Sequence, residues 1–171
     1  FKPDGSAYDI GDTWRQPDLA WTLSEISKRG KDGFYSGAVA QRITDEMKSG
    51  GGLITAADLA GYFVVERQPV SGMYKGFNVV STPPPSSGGV HIVQILNILE
   101  GYDLQAMGQG SASYIHHLAE SMKLAYADRS QYLGDPDYVN VPVAALTDKA
   151  YAARQRKRIN SSAATPSVEI A

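Results

Sequence analysis

The chain has 171 residues, 43% of them hydrophobic, with 16 basic against 18 acidic side chains and a formal charge of −2. That length and composition suffice for a buried core and exclude a disordered chain, while the near-neutral charge, with only the short Arg154–Arg158 basic run, excludes an electrostatic nucleic-acid binder. Cysteine is absent, which excludes disulfides, thiolate metal sites and a cysteine nucleophile, and every apolar run falls far short of the roughly 20 residues that span a bilayer.

Pro17 in a first-turn position and Gly30 after Lys28 and Arg29 bracket a first helix, with Leu19, Ala20, Leu23 and Ile26 on its predicted core face. Val39, Ile43 and Met47 recur at helical spacing and predict a second helix over 34–49, stopped by Gly50, Gly51 and Gly52. Thr55 and Asp58 are a close variant of a capping box and predict a short helix up to Tyr62. The period then changes. Residues 63–66 and 70–74 read as strand with Pro69 at an edge or bend between them, and Lys75–Gly76 reads as a hairpin turn into a strand over 77–81. So small a ribbon is marginal alone, so the remaining strands of its sheet are expected from another segment or chain.

Pro83, Pro84 and Pro85 fix φ and remove three backbone donors, which forces the chain out of the sheet. Ser86 or Ser87 then caps a helix, Gly88 and Gly89 allow backbone or ligand to approach closely, and Val90, Val93, Ile95, Leu96 and Leu99 form a buried face up to Gly101. Ser111 caps a long helix whose predicted core face is Ile115, Leu118, Ala119, Met122, Ala125 and Tyr126. Gly134, Pro136 and Pro142 enforce a loop, and Thr147 caps a last helix running to Arg158. Residues 1–160 read as a single partial domain and 161–171 as a flexible tail, since the latter lack periodicity.

Several patterns invite chemistry. Free amides opening the helix after Ser86–Gly89 can hold an anion, yet no Gly-Lys-Ser/Thr and no Gly-x-Gly-x-x-Gly is present, and a capped helix accounts for the same residues. His116 and His117 are neighbours on a helix, point about 100° apart, and cannot share a metal as an i,i+4 pair would. His91 is close in sequence to Ser86 and Ser87, but adjacency does not supply triad geometry, and it reads as a structural histidine. Asp128, Asp135 and Asp137 lack the loop of a calcium site and read as turn-closing groups beside Arg129. The residues therefore assign no catalytic group, no metal site and no cofactor.

Four strings in order carry a resemblance: GDTWRQPDLA (11–20), GGLITAADLAGY (51–62), STPPPSSGGVHIVQILNILEG (81–101) and YADRSQYLGDPDYVNVPVAALTDKAY (126–151). Over nearly the whole chain they resemble the γ-glutamyltransferase, or γ-glutamyltranspeptidase, family. The resemblance implies an α+β, mostly helical piece of an N-terminal nucleophile hydrolase αββα sandwich, contributing outer helices and a few antiparallel strands from the C-terminal half of the large subunit. It implies a precursor that cleaves itself, with TPSVEIA at 165–171 resembling the approach to the cleavage site. The nucleophile would be the small subunit's N-terminal threonine, outside this chain. Partners implied are that small subunit and the N-terminal half of the large subunit. Glutathione and other γ-glutamyl compounds would donate, and acceptor amino acids or water would receive. The family's arginine and other glutamyl-binding residues match no position here, so no catalytic or substrate-binding residue is carried over, and the chain alone is expected to be inactive. A periplasmic or extracellular parent is implied, and the start at Phe1 raises the expectation of upstream polypeptide. Two alternatives stand beside this reading: a cephalosporin-acylase-like relative that cleaves a glutaryl amide, and a non-catalytic scaffold whose apolar edges bind a partner.

Overall fold

The computed structural model describes residues 1–170, whose contacts group into two compact units, Phe1–Val65 and Glu66–Ala171. The expected single partial domain over 1–160 placed no boundary near Val65.

The first unit carries α1 (Pro17–Arg29), α2 (Asp32–Tyr35), α3 (Ala38–Gly50) and α4 (Ala56–Gly61). The one helix predicted over 34–49 is thus divided, because Ser36 is extended and Gly37 adopts φ 77°, a left-handed turn open to glycine. Thr55 and Asp58 cap α4 reciprocally: the Asp58 amide donates to Thr55 Oγ1 at 3.3 Å and the Thr55 amide donates to Asp58 Oδ2 at 2.8 Å. Tyr35 stacks on Tyr62 at 5.0 Å, and the Arg42 guanidinium lies 4.1 Å from the Trp21 ring. The predicted core face of α1 is not buried, and Leu23 is 56% exposed. Residues 63–66, predicted as strand, form none. A strand exists through its ladder, and no described segment pairs with them.

The second unit opens with an antiparallel hairpin, β1 (Val70–Tyr74) and β2 (Phe77–Ser81), in which Val70 faces Ser81 and Tyr74 faces Phe77. Lys75 and Gly76, both at positive φ, make the two-residue turn whose twist suits paired strands. There follow α5 (Gly88–Leu99), α6 (Leu104–Met107), α7 (Ala112–Tyr132), α8 (Val143–Leu146), α9 (Lys149–Arg156) and a 3₁₀ turn at Ser167–Glu169. The class is α+β and mostly helical, with a two-stranded antiparallel sheet.

Helix α5 is the central element and touches both strands, α7, α8 and α9. Near its start, Val90 and Val93 pack with Val70 and Leu146; near its end, Ile98 packs with Leu124, Ala152 and Ile170. Each such aliphatic side chain contributes about 1.5–3 kcal/mol of apolar burial. The proline arm brings the chain back so tightly that a β-carbon on Gly89 would overlap the Thr82 carbonyl oxygen.

Three local readings change in this unit. Asp148, not Thr147, caps α9 by accepting from the Tyr151 amide at 2.8 Å, while the Thr147 hydroxyl donates to the Val143 carbonyl at 2.8 Å and closes α8. Helix α7 is turned about its axis: it buries His117, Glu120, Ser121, Leu124, Ala125 and Asp128, and leaves Ile115, Met122 and Tyr126 exposed. A flexible tail is expected over 161–171, but residues 161–170 run beside α7 and end with Ile170 in the core; Ala171 lies outside the described residues.

Gly89→Ala should destabilise the protein by about 1–3 kcal/mol, the cost of overpacking against fixed backbone. Gly61→Ala, whose β-carbon meets open space, should stay within about 0.5 kcal/mol. Thermal unfolding of the two variants beside the parent checks both values.

Candidate functional site

The turn from Thr82 to Gly89 sits where β2 hands over to α5. Its Pro84–Pro85 bond is cis. The Thr82 hydroxyl donates to Ser86 Oγ at 3.3 Å, and Ser86 Oγ also accepts from the Gly88 amide at 3.4 Å, so this serine closes the turn. Ser87 stands at the N-cap of α5 without a side-chain cap bond. The His91 amide donates to the Ser87 carbonyl at 3.1 Å within the helix, but among the described residues neither serine hydroxyl bonds the His91 ring, which packs on Tyr126 at 5.0 Å and whose Nε2 has no partner there. Burial, followed by the charge of Arg129, pulls the His91 pKa down against the opposing pull of Asp128.

The densest polar arrangement lies deeper, where α5, α7 and α9 meet around Asp128. Its Oδ2 accepts from Gln94 Nε2, from the Tyr151 hydroxyl at 2.8 Å and from Gln155 Nε2 at 3.1 Å. Gln155 also donates to the Tyr151 oxygen at 2.7 Å, and its own Oε1 accepts from Arg158 at 3.0 Å. Three helices are thus pinned on one carboxylate oxygen. Burial, then the hydrogen bond to Asp128 and its charge, pushes the Tyr151 phenol up to about 12. A tyrosine held neutral in this way is a hydrogen-bond donor rather than a base. Along the same strip of α5, Gln94 Oε1 and Asn97 Oδ1 have no partner within the described protein, while Asn97 Nδ2 donates to the Thr147 carbonyl at 2.7 Å.

The histidine pair stands three turns earlier, near the start of α7. His116 Nε2 donates to the Asn160 carbonyl at 2.7 Å, and His117 Nδ1 donates to the Ser113 carbonyl at 2.8 Å. A carbonyl only accepts, so Nδ1 carries the hydrogen and Nε2 of the neutral ring accepts from the Ser161 hydroxyl at 3.3 Å. This serine–histidine contact has a backbone carbonyl where a nucleophile's base would have a carboxylate, and the neighbouring Ser162 amide is taken by the Asn160 side chain at 2.9 Å. Asp137 pairs with Arg67 at 2.6 Å and Asp135 accepts from the Asp137 amide at 3.0 Å, which closes their loop. Among the described residues no three His, Asp or Glu side chains converge as a metal site would require.

Sequence reasoning treated Asp128 as a turn-closing group at a helix end, but it lies inside α7 and is buried. One signal was available. Gln94 interrupts the apolar stripe of Val90, Val93 and Ile98, and Tyr151 and Gln155 stand at i,i+4 spacing on the last helix. Their convergence on Asp128 depends on how three helices pack, which no local pattern encodes.

The family described as gamma-glutamyltranspeptidase matches residues 1–171. The chain is 54% identical over 170 residues to the glutathione hydrolase proenzyme of Escherichia coli K12, covering 99% of this chain and 29% of that protein. It is 47% identical over 157 residues to the acylase ACY 1 proenzyme of Pseudomonas sp. SE83, covering 92% and 28%. The crystal structure of Helicobacter pylori gamma-glutamyltranspeptidase superposes with a TM-score of 0.92 at 49% identity, over all of this chain and 49% of that one. The chain therefore spans less than a third of the length of these curated relatives.

Asp128→Asn keeps the shape of the side chain but removes its charge, so the Tyr151 midpoint should fall from about 12 towards the ordinary 10.0, with burial holding it above that value. Because the folded value exceeds the unfolded one, this phenol contributes stability that is complete below pH 10.0 and is lost as pH rises through about 12. Ultraviolet titration of the two forms, with Tyr151→Phe subtracted, reads the shift.

Proposed function

Because this chain belongs to the gamma-glutamyltranspeptidase family, we propose that it is part of a longer precursor whose mature form transfers or hydrolyses the γ-glutamyl group of glutathione and related γ-glutamyl amides. The observation that carries the reading is the 54% identity to a glutathione hydrolase proenzyme, sustained over 99% of the chain. The chemistry is acyl transfer. A threonine hydroxyl outside this chain adds to the γ-glutamyl carbonyl, its own α-amine takes the proton, and backbone amides stabilise the oxyanion. The leaving amine departs protonated, and water or an acceptor amine then attacks the acyl-enzyme. The polar clusters described above support the same division of labour: Ser86 closes a turn, His91 meets no hydroxyl, and Asp128 binds neutral donors.

In this reading the chain is the C-terminal half of the large subunit, and its partners are the rest of that subunit and the small subunit. Apolar side chains left uncovered, among them Leu23, Phe63, Phe77 and Ile115, are surface for those partners. The 47% identity to an acylase proenzyme favours a second reading, in which the acyl group is a glutaryl rather than a γ-glutamyl chain. The two differ by the α-amino group of the donor.

Expression of the entire reading frame should yield a precursor that divides into two polypeptides and releases nitroaniline from a γ-glutamyl anilide, whereas the 171-residue chain alone should release none. The whole enzyme should prefer the γ-glutamyl to the glutaryl anilide by about a hundredfold or more, since a site built to hydrogen-bond a polar group rejects substrates lacking it. Turnover by the isolated chain would place the nucleophile within it, and a preference for the glutaryl substrate would favour the acylase reading.

A further inference from the structure

A helix that buries a glutamate and a histidine must supply them with partners. On α7 the residues His117 and Glu120 are each only 3% exposed, and their external partners come from one place, the segment 160–170. His116, Glu120, Lys123 and Ala127 follow one another at three or four residues, so they lie along a single face, with His117 flanking it on the buried side. The segment runs down that face in the same direction. His116 holds the Asn160 carbonyl, His117 the Ser161 hydroxyl, and Lys123 Nζ donates to the Thr165 carbonyl at 2.6 Å while pairing with Glu120 at 2.5 Å. Glu120 Oε2 accepts from the Thr165 amide at 3.4 Å, so both backbone groups of Thr165 are gripped by the one ion pair. Further on, Arg158 donates to the Ile170 carbonyl at 3.1 Å, and the Ile170 side chain is buried with Ile98, Leu124 and Ala152. Burial pushes the Glu120 pKa up, but Lys123 and the Thr165 amide outweigh it, so the carboxylate stays ionised and able to accept.

The polar face of α7 is therefore a built seat for an extended strap. Its contacts fall mostly on backbone atoms, which fixes the path of the strap rather than reading its side chains. Resting on the reading that this chain comes from a precursor that divides itself, we propose that Glu120, Lys123 and Arg158 are positioning residues for self-cleavage: they clamp residues 160–170 so that the polypeptide leading to the cleavage site departs from a fixed point. The clamp neither makes nor breaks a bond. An intramolecular cleavage goes as often as its scissile peptide occupies an attacking geometry, and a lead lengthened by eleven freed residues adds closure entropy and orientational freedom. Arg158 also reaches Gln155, which donates to Asp128, so the strap is tied to the polar centre of the three helices.

The test uses the full-length precursor, carrying Lys123→Met or Glu120→Gln, with Lys123→Arg as the conservative variant. Self-cleavage is followed by gel time course, and amide hydrogen exchange is measured in the strap and, as a control, in α5. Lys123→Met should slow cleavage about tenfold, the loss expected for one charge-assisted hydrogen bond. It should also speed exchange over 161–170 with α5 unchanged, and Lys123→Arg should restore both readouts to within a few fold. Unchanged cleavage overturns the proposal whether or not the strap loosens. Slowed cleavage with an unchanged strap overturns it too, as does exchange that rises equally in α5, which would mark a general loss of stability. A parent precursor that never cleaves overturns the functional reading and the role built on it, while its exchange data separately report whether the strap is held.

Discussion

A single buried carboxylate constrains the second unit. Taking an aspartate out of water costs several kcal/mol unless hydrogen bonds replace those it loses, and here the replacements come from two other helices. Gln94 from α5, and Tyr151 and Gln155 from α9, all meet Asp128 of α7 on one oxygen. Apolar packing between helices tolerates small slides, because one methyl contact substitutes for another. Three donors aimed at one atom do not. The aliphatic clusters on either side of the centre supply the larger share of the stabilisation, and the carboxylate selects the register in which they pack.

That register explains why α7 presents its apolar stripe outwards. With Asp128 turned in, the residues one, two and three turns before it on the same face are Leu124, Ser121, Glu120 and His117, so polar groups are carried into the interior and must be satisfied there. Ser121 donates to the His117 carbonyl of its own helix, the strap 160–170 meets His117 and Glu120, and its own end, Ile170, closes the apolar cluster below. The consequence on the other face is that Ile115, Met122 and Tyr126 meet solvent in this chain. The first unit has the same character, with the apolar face of α1 uncovered. Both features agree with a chain that spans less than a third of its relatives' length.

The site residues were unevenly legible. The small-residue turn after the prolines was readable as a tight approach, and Gly89 against the Thr82 carbonyl is its physical content. Ser86, Ser87 and His91 stood close enough in sequence to invite a catalytic pairing, yet the direction of each side chain separates them. The adjacent histidines point apart, and each finds a different acceptor or donor on the strap or on the helix itself. Ser161 carried no signal at all, because its partner lies forty-four residues away and the intervening turns decide the meeting.

What the sequence determined by itself was local and periodic. The bounds of α1 and the Thr55–Asp58 cap, the hairpin around Lys75–Gly76, the start of α5 and the Ser111 cap of α7 follow from backbone preferences acting within a few residues. The ordered strings that mark the family were also complete in the primary structure. Tertiary structure alone decided which face of α7 turns inward, that Asp128 is a junction rather than a turn, and that residues 160–170 are seated. Periodicity identifies a helix and offers a face for burial, but rotation about the helix axis is set by the groups it meets, and those come from positions far along the chain.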